Sequence, residues 1–480
     1  MRWAVLALGG VLAALCLYLL ESSRPSVAEV TRTSVGETPI TMWRQPEAIA
    51  TVVVAHGFAG SRPLMTAFNW TLVRNGYDVV AFDFEGHGTN PLPMSGDTDS
   101  IEGTTRRLVD ETKAIMAFAG EAPALLGHSM ATDVIVRAAA ERRAGPIVAI
   151  SAFSRAVTAK HPRNLLMIAG EWEGRLIEFG RASIRKVDPD AEEGERVGGE
   201  GADGRMALIA PNVEHVGILF SPFTLRESVV WLDEYYGVEP RQISVTAIGY
   251  PILGLLFALM VLWWPISRFL PGEARAEPVP RRAFWNVTIV ALLTPLAVFW
   301  IDLTVLPVLV ADYLVLHLGF AGLLQILILR HFGVPFGRFA AIPALALILW
   351  GLAVFGLAID TYAANFHPNA ERALILAALA LGGVPFMVAD ALVTAGGRAP
   401  LWQRLTFSAA FFLSLTLAVL LDFERLFFLI LIAPIILLFF IIFGLMGRWT
   451  AARGGPLTSG VALGLILAWS LGVTFPLFQA

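Results

Sequence analysis

The sequence has few charged residues and almost no cysteine. Of its 480 residues, 15% are charged and 56% are hydrophobic, and the mean hydropathy of +0.67 is too high for an ordinary soluble protein. Cys16 is the only cysteine, which excludes an internal disulfide and a cysteine-based metal site. The net charge of −4 argues against nucleic-acid binding. We therefore expect a membrane protein that has no nucleic-acid partner and needs neither a metal nor a cofactor.

The apolar residues are unevenly distributed along the chain. Residues 1–20 form one apolar run, residues 21–240 have a globular composition, and the remainder is almost continuously apolar. The first run lacks a convincing cleavage pattern, so we favour an uncleaved anchor, with Cys16 buried in it, over a signal peptide. The predicted organisation is an N-terminal transmembrane anchor (1–22), a globular domain (23–240) and an eight-span transmembrane domain (241–480).

Basic residues orient the predicted spans. The eight spans after the anchor, nine with it, are expected near residues 243–266, 285–302, 312–329, 339–359, 372–393, 405–421, 425–446 and 457–477. Arginines concentrate in alternate loops, and the opposite loops hold only Arg372 and Arg425. Because basic loops stay inside, we predict an inner (cytoplasmic) membrane protein with a cytoplasmic N-terminus. The globular domain and the C-terminus would then be extracytoplasmic, on the periplasmic side.

A few ionisable residues interrupt the apolar half. Asp422 and Glu424 are interpreted as solvated interfacial caps. Asp302, Asp312 and His317 border an apolar turn, so a docking or substrate-entry role is kept as a hypothesis for them. Asp390 lies near the inner end of a span, where a carboxylate is either paired or functional.

The globular domain alternates short apolar runs with amphipathic stretches, a pattern typical of parallel strands connected by helices. The apolar runs are continuous, which favours strands covered on both faces. The predicted strands are residues 51–58, 77–84, 123–129, 146–151, 164–170 and 206–211. The predicted fold class is therefore a mostly parallel sheet with helices on both faces, followed by a transmembrane helical bundle.

The segment LLGHSMATD, residues 125–133, places Ser129 between a predicted strand and a predicted helix. Such a turn needs small neighbours, and Gly127 and Ala131 provide them. The motif GHSMA resembles the G-x-S-x-G nucleophile elbow of the α/β-hydrolase superfamily, with Ala131 in place of the second glycine. The resemblance implies an α/β-hydrolase fold in which Ser129 is the nucleophile.

Two further motifs resemble the same superfamily. In HGFAGS, which begins with His56 and Gly57, the resemblance implies that the Phe58 backbone N–H is one oxyanion donor, with Met130 as the second. DFEGHG resembles the family's D-x-R-G-x-G turn, with Glu85 at the arginine position. His56 and His128 are interpreted as supports of the oxyanion loop and the elbow, His87 likewise as structural.

The resemblance places a carboxylate and then a histidine after the nucleophile. NVEHVG offers His215 as the general base, and GEWEG offers Glu173 as the acid, with Glu171 as the runner-up. Asp133 is interpreted as a support of the elbow. The charged run 181–205 is most simply a solvated excursion, with part of a lid as the alternative.

The sequence therefore predicts a membrane-bound serine hydrolase, a carboxylic ester hydrolase first of all, acting on a small or lipid-like ester near membrane lipids. One alternative is a peptidase or amidase with the same residues. The other is a transporter or scaffold whose hydrolase-like domain only binds a ligand. Neither the oligomeric state nor a chemistry for the bundle follows from the sequence.

Overall fold

The computed structural model describes residues 1–26, 28–97, 100–199 and 204–479. An eight-stranded sheet forms the centre of the globular domain. Its strands are β1 (Glu29–Val35), β2 (Thr38–Arg44), β3 (Thr51–Ala55), β4 (Asp78–Phe82), β5 (Ala124–His128), β6 (Ile147–Ile150), β7 (Asn164–Gly170) and β8 (Gly204–Ala210). Their order is β1-β2-β4-β3-β5-β6-β7-β8. The pairs β1–β2 and β2–β4 are antiparallel and all the others are parallel, which confirms the predicted fold class for this domain.

Each of the six predicted strands overlaps an observed one, but the sequence analysis missed the hairpin β1–β2 at the edge of the sheet. Its first strand is largely exposed, with polar residues that give no continuous apolar run. The turn between the two strands is made at Gly36, whose φ of 59° is one that glycine adopts without strain. Alternating β-branched residues around this glycine were the available signal.

Helices cover both faces of the sheet. The domain's helices are α2 (Thr66–Arg74), α3 (Arg106–Ala119), α4 (Met130–Glu141), α5 (Gly174–Arg185) and α6 (Pro222–Tyr235). Alternate strand residues belong to two separate apolar clusters: Val52 and Val54 pack with α2 and α6, whereas Val53 and Ala55 pack with α3, α4 and α5. The first cluster continues without interruption into the transmembrane helices, so the α2–α6 face joins the domain to the bundle.

The transmembrane part begins with α1 (Arg2–Ser23), which packs along α7. The other helices are α7 (Gly249–Ser267), α8 (Arg281–Val298), α9 (Ala311–His331), α10 (Ala341–Leu349), α11 (Gly356–Tyr362), α12 (Ala373–Val393), α13 (Leu401–Leu421), the short α14 (Phe423–Leu426) and α15 (Phe428–Thr474). A π-helical turn, Trp350–Phe355, connects α10 to α11. Cys16 is buried against α7, where a Cβ at Gly254 would lie 2.8 Å from its sulfur.

Seven helical segments among the described residues are long and apolar enough to cross a membrane. The predicted span 285–302 corresponds to α8, which is not one of the seven. The predicted spans 425–446 and 457–477 both fall within α15, which is broken at Gly455, where φ is 85°. A multi-pass membrane protein is therefore supported, whereas the count of nine stays a prediction.

The C-terminal tail returns to the globular domain. The Leu477 N–H donates to the Gly86 carbonyl, and the Gln479 N–H donates to the Met94 carbonyl, at 2.9 and 2.7 Å. The Phe478 side chain is buried in the apolar cluster between the sheet and α3–α5. The end of the described chain and the globular domain therefore lie on the same side of the bundle.

Candidate active site

Ser129 lies between the end of β5 and the first residue of α4. Its φ of 53° and ψ of −118° lie outside the regions that side-chain-bearing residues prefer. The turn is held because the Ser129 N–H donates to the Ile150 carbonyl at 2.9 Å. Gly127 is required for space, since a Cβ there would lie 2.8 Å from Ile135 and 3.2 Å from the Ala131 backbone. Ala131 fits because its methyl group points into the apolar core.

His215 and Glu173 come from the loops after β8 and β7 and meet Ser129 at the carboxyl edge of the sheet. The Ser129 Oγ and His215 Nε2 are 2.9 Å apart, and the His215 Nδ1 and Glu173 Oε1 are 2.5 Å apart. A carboxylate accepts only, so Nδ1–H is the donor and Nε2 faces the hydroxyl as an acceptor. The imidazole is therefore within reach of the hydroxyl proton.

Glu173 is held by three donors. Its Oε2 accepts hydrogen bonds from the Gly170 N–H at 2.6 Å and the Ser151 hydroxyl at 2.8 Å, in addition to the His215 contact at Oε1. Burial alone would raise the pKa of Glu173, but hydrogen bonds from His215, Gly170 and Ser151 outweigh it and lower that pKa. The carboxylate thus stays ionised beside the imidazole.

Ser151 was missed as a functional residue by the sequence analysis. It follows β6, has a φ of 51° and is buried, in a setting parallel to that of Ser129 on the neighbouring strand. The only signal was a serine at the end of a predicted strand, which by itself does not show which way the hydroxyl points.

The predicted oxyanion donors lie beside the nucleophile. A Cβ on Gly57 would lie 3.1 Å from the Ser129 Cβ, so the loop after β3 approaches the elbow as closely as glycine permits. Met130 begins α4, where a backbone N–H has no partner within its own helix. Within the described segments, neither the Phe58 N–H nor the Met130 N–H has an acceptor. Both remain available to an oxygen bound next to Ser129.

His56 and His87, both interpreted as structural, form hydrogen bonds with backbone groups near them. His56 Nδ1 donates to the Gly57 carbonyl and His56 Nε2 accepts from the Phe84 N–H. His87 Nδ1 donates to the Glu85 carbonyl. Burial lowers the pKa of His56 and holds that of His87 well below its usual range. These rings are therefore neutral and shape the oxyanion loop and the turn after β4.

His128 positions the proposed base. Its Nε2 donates to the His215 carbonyl at 2.9 Å, and the two rings are 4.8 Å apart. Burial, followed by the proximity of His215, lowers the pKa of His128 to about 3. A neutral His128 therefore links the elbow to the loop that carries His215.

The other candidate acids are engaged elsewhere. The Glu171 carboxylate accepts from the Asn212 N–H at 2.7 Å, so the structure brings Glu173 and not Glu171 to His215. Asp133 pairs with Arg137 at 2.7 Å and accepts from the Ser154 hydroxyl, beside the elbow.

The turn after β4 attaches the site to the bundle. Its buried Asp83 pairs with Arg62 at 3.0 Å, and Glu85, at the position of the family's arginine, pairs with Arg107 at 2.8 Å. From the bundle, the buried Arg372 donates to the Gly86 carbonyl of this turn at 3.0 Å. The turn therefore connects the carboxyl edge of the sheet to the transmembrane helices.

Aromatic residues connect the oxyanion loop to the bundle. The Phe58 ring lies 5.3 Å from that of Phe428, the first residue of α15, and Phe428 is followed in the same row by Phe427 at 5.8 Å and Phe423 at 5.4 Å. Phe423 is 58% exposed. An apolar path thus leads from the outer surface of the bundle to Phe58, the residue that follows Gly57 beside the elbow.

Three of the ionisable residues that the sequence singled out in the apolar half, Asp302, Asp312 and His317, form contacts within the bundle. Asp302 pairs with Arg425 at 2.9 Å, and Asp312 accepts from the Val305 and Leu306 N–H groups. His317 is buried between Tyr313 and Ser414. Within the described ranges, no group of three metal-ligating side chains is present.

Comparison with known proteins bears on the fold of this domain. Residues 46–189 match the family model described as serine aminopeptidase, S33, a range that includes Ser129 and Glu173 but ends before His215. Together with the sheet, the match identifies an α/β-hydrolase domain and supports a hydrolase. No curated protein sequence matches the chain significantly.

Solved structures that resemble the chain include a CIB-like hydrolase from Thermoplasma acidophilum, at 15% identity, 43% coverage of this chain, 97% of that one and a TM-score of 0.35. A dienelactone hydrolase from Anabaena variabilis has 17% identity, coverages of 45% and 98% and a TM-score of 0.32. A lipase in its open form has 11% identity, coverages of 44% and 99% and a TM-score of 0.34. These similarities are too low to indicate a substrate for this chain.

Proposed function

We propose that the protein is a membrane-bound serine hydrolase that cleaves a carboxylic ester with a lipid-like acyl group. The observation that carries the proposal is the chain of hydrogen bonds from Ser129 through His215 to Glu173. A serine hydroxyl becomes nucleophilic when an adjacent imidazole accepts its proton, and a carboxylate stabilises the imidazolium that forms.

The reaction takes two steps. Ser129 Oγ attacks the ester carbonyl while His215 Nε2 takes its proton, and the Phe58 and Met130 N–H groups hold the oxyanion of the tetrahedral intermediate. Collapse of that intermediate breaks the bond to the alcohol, which leaves with the proton from His215. Water, deprotonated by His215, then cleaves the acyl-enzyme and restores the Ser129 hydroxyl.

A lipid-like substrate is favoured by the surroundings of Ser129. The Phe58–Phe428 contact places the first residue of a membrane helix beside the oxyanion loop. An acyl chain following the exposed Phe423 and Phe427 to the half-buried Phe428 would arrive beside the oxyanion loop without crossing water. The domain is proposed to lie on the extracytoplasmic face of the inner membrane, because the basic loops predict that orientation.

An aminopeptidase is the second candidate, because the matching family model carries that name. It would need a free carboxylate near Ser129 to bind the substrate's amino terminus. Of the two glutamates that flank the site in sequence, Glu171 accepts a hydrogen bond from the Asn212 N–H of the loop after β8, and Glu214 accepts from two N–H groups of its own loop. This favours the ester.

The test uses the full-length protein in detergent. A fluorophosphonate probe should label wild-type protein and not Ser129→Ala. Hydrolysis rates should then be compared for aryl esters and aryl amides with the same acyl chains, from 2 to 16 carbons, roughly the range of short and lipid-like groups. This comparison should separate the esterase from the peptidase. Esters with long chains should react fastest. Faster cleavage of aminoacyl arylamides would favour the peptidase, and labelling of Ser129→Ala as strong as that of wild type would refute both.

A further inference from the structure

A half-open cavity lies in the transmembrane bundle at the end facing away from the hydrolase domain. It encloses about 250 Å³ and is lined by α12, α13, α15 and the turn after α12, far above the ~10–15 Å³ that one water needs. Arg372, next to the start of α12, bonds the hydrolase domain, whereas Asp390, near its end, lines the cavity. The helix between them is about 27 Å long at 1.5 Å per residue, close to the ~30 Å of a hydrocarbon core. The cavity therefore opens at the opposite membrane surface.

Three ionisable side chains line this cavity: Asp390, Arg404 and Arg448. In the described part of the chain, none of the three has a side-chain hydrogen bond or an ion pair within 4.0 Å. Asp390 and Arg404 are half-buried, and the Arg404 Nε is buried without an acceptor, whereas Arg448 is exposed. Charged groups inside a membrane protein are normally paired with one another or mark a functional site. The missing partners of Asp390 and Arg404 therefore point to a ligand, and Arg448, which lines the same cavity, adds a second guanidinium group.

The chemistry of the three groups specifies that ligand. Guanidinium groups bind phosphate oxygens through paired hydrogen bonds, and a carboxylate accepts hydrogen bonds from hydroxyl or ammonium groups. With all three side chains ionised the net charge is positive by one, which the single charge of a phosphodiester neutralises.

We propose that the cavity binds a phosphate ester that carries hydroxyl or ammonium donors. Its phosphate lies against Arg404 and Arg448, and its donor groups lie against Asp390. The position at a membrane surface fits a phospholipid headgroup, and a soluble glycerol phosphate, although a monoester of higher charge, presents the same phosphate oxygens and hydroxyl groups. The site is separate from Ser129, so it does not rest on the proposed hydrolase activity.

Gly444 offers a way to fill the cavity without disturbing its walls. A Cβ at this position would meet nothing within 4 Å, although Gly444 lines the cavity within α15. Gly444→Trp should therefore occupy the ligand's space, whereas Gly444→Ala, the matched control, should leave it open. Arg398 is exposed in the turn after α12 and does not line the cavity, so Arg398→Gln controls for the loss of an arginine.

The experiment measures ligand retention by the full-length protein. Native mass spectrometry would follow phosphatidylglycerol, and the unfolding temperature would be measured with glycerol 3-phosphate. We expect wild type, Arg398→Gln and Gly444→Ala to retain the lipid, and Arg404→Gln/Arg448→Gln and Gly444→Trp to bind at least about 10-fold more weakly. A shift in unfolding temperature with glycerol phosphate that the same two variants lose would support the soluble source.

A measurement on wild-type protein covers the case in which a variant does not fold. Phenylglyoxal modifies accessible guanidinium groups, so phosphatidylglycerol or glycerol phosphate should protect Arg404 and Arg448 and leave Arg398 reactive. Equal reactivity of all three arginines with and without both ligands, or equal retention by wild type and Arg404→Gln/Arg448→Gln, would overturn the proposal.

Discussion

The candidate active site and the cavity in the transmembrane bundle differ in how their ionisable side chains are partnered. In the hydrolase domain, Glu173 is surrounded by three donors and His215 by two partners. In the bundle, Asp390 and Arg404 line a cavity without partners among the described residues. A site that performs acid–base chemistry must be organised before the substrate arrives, because each misplaced group raises the barrier. In a binding site, charged side chains can remain without partners until the ligand binds.

The strongest test of an organised site is removal of its nucleophile. Ser129→Ala should lower kcat by about 10⁴-fold to 10⁶-fold, because the imidazole then has no hydroxyl to activate. Ester hydrolysis under single-turnover conditions measures this. The unfolding temperature of the bundle should be unchanged. An activity above about 1% of wild type would contradict the acyl-enzyme mechanism.

The acid can be tested against its neighbour. Glu173→Gln should lower kcat by about 10³-fold to 10⁴-fold, because an amide does not stabilise the imidazolium and can favour the wrong tautomer. Glu171→Gln, the matched control, should change kcat less than about 3-fold, since Glu171 bonds the Asn212 N–H. The two kcat values, measured with one ester, decide between the residues. A larger effect at Glu171 would contradict the assignment.

Substitution of Arg372 should weaken the connection between the transmembrane bundle and the hydrolase domain. This buried side chain donates to the Gly472 and Phe475 carbonyls of the bundle and to the Gly86 carbonyl of the hydrolase domain. Arg372→Gln leaves buried carbonyls without donors, which should cost about 1–3 kcal/mol of unfolding free energy.

Thermal unfolding in detergent measures this loss, with Arg398→Gln as the exposed control. Limited proteolysis should also cut the C-terminal tail faster in Arg372→Gln, because the tail bonds the same turn. Identical unfolding and cleavage in both variants would mean that the tail is held by its other contacts alone.

The aromatic path should affect long substrates more than short ones. Phe428→Ala removes the ring next to Phe58, so kcat/KM for long-chain esters should fall about 3-fold to 10-fold, as expected for lost apolar contact of about 1 kcal/mol. Acetyl esters should be unaffected. Leu431→Ala, an exposed position on the same helix, serves as the control. An equal loss for all chain lengths would assign Phe428 a structural role.

A further effect concerns the pH dependence of stability. Burial raises the pKa of Glu111 to about 7, although hydrogen bonds from Thr38 and the Glu85 N–H oppose the shift. The unfolded chain releases this proton near pH 4.5. The contribution of the neutral Glu111 side chain to the free energy of unfolding is therefore complete below that pH and is lost progressively up to about pH 7. Wild-type protein should lose on the order of 1–3 kcal/mol of unfolding free energy across this pH range, and Glu111→Gln should lose less.

The difference is measured from the unfolding temperatures of wild type and Glu111→Gln. These are taken between pH 4 and 8, roughly the window set by the two pKa values. Glu121→Gln, which is highly exposed, should leave the slope unchanged. Parallel curves for wild type and Glu111→Gln would show that Glu111 does not titrate differently in the two states.

The fold class of the hydrolase domain was predictable because buried parallel strands read as continuous apolar runs. The edge hairpin β1–β2 gives no such run and was missed. Of the site, Ser129 and the order of the acid and base were accessible through their resemblance to a known motif. The resemblance also favoured Glu173 over Glu171, but only the backbone path of the loop determines which of the two side chains points at His215.

The sequence by itself determined where apolar segments occur, which strands are buried and which residue types follow them, since these depend on local composition and period. Only the tertiary structure decided that Ser151 supports Glu173, that His128 holds the loop of His215, and that the C-terminal tail bonds the turn at Gly86. Those contacts join residues up to hundreds of positions apart, and no local pattern encodes a distance across the fold. The unpartnered charges at Asp390, Arg404 and Arg448 meet for the same reason, because three helices that are separate in sequence pack around one cavity.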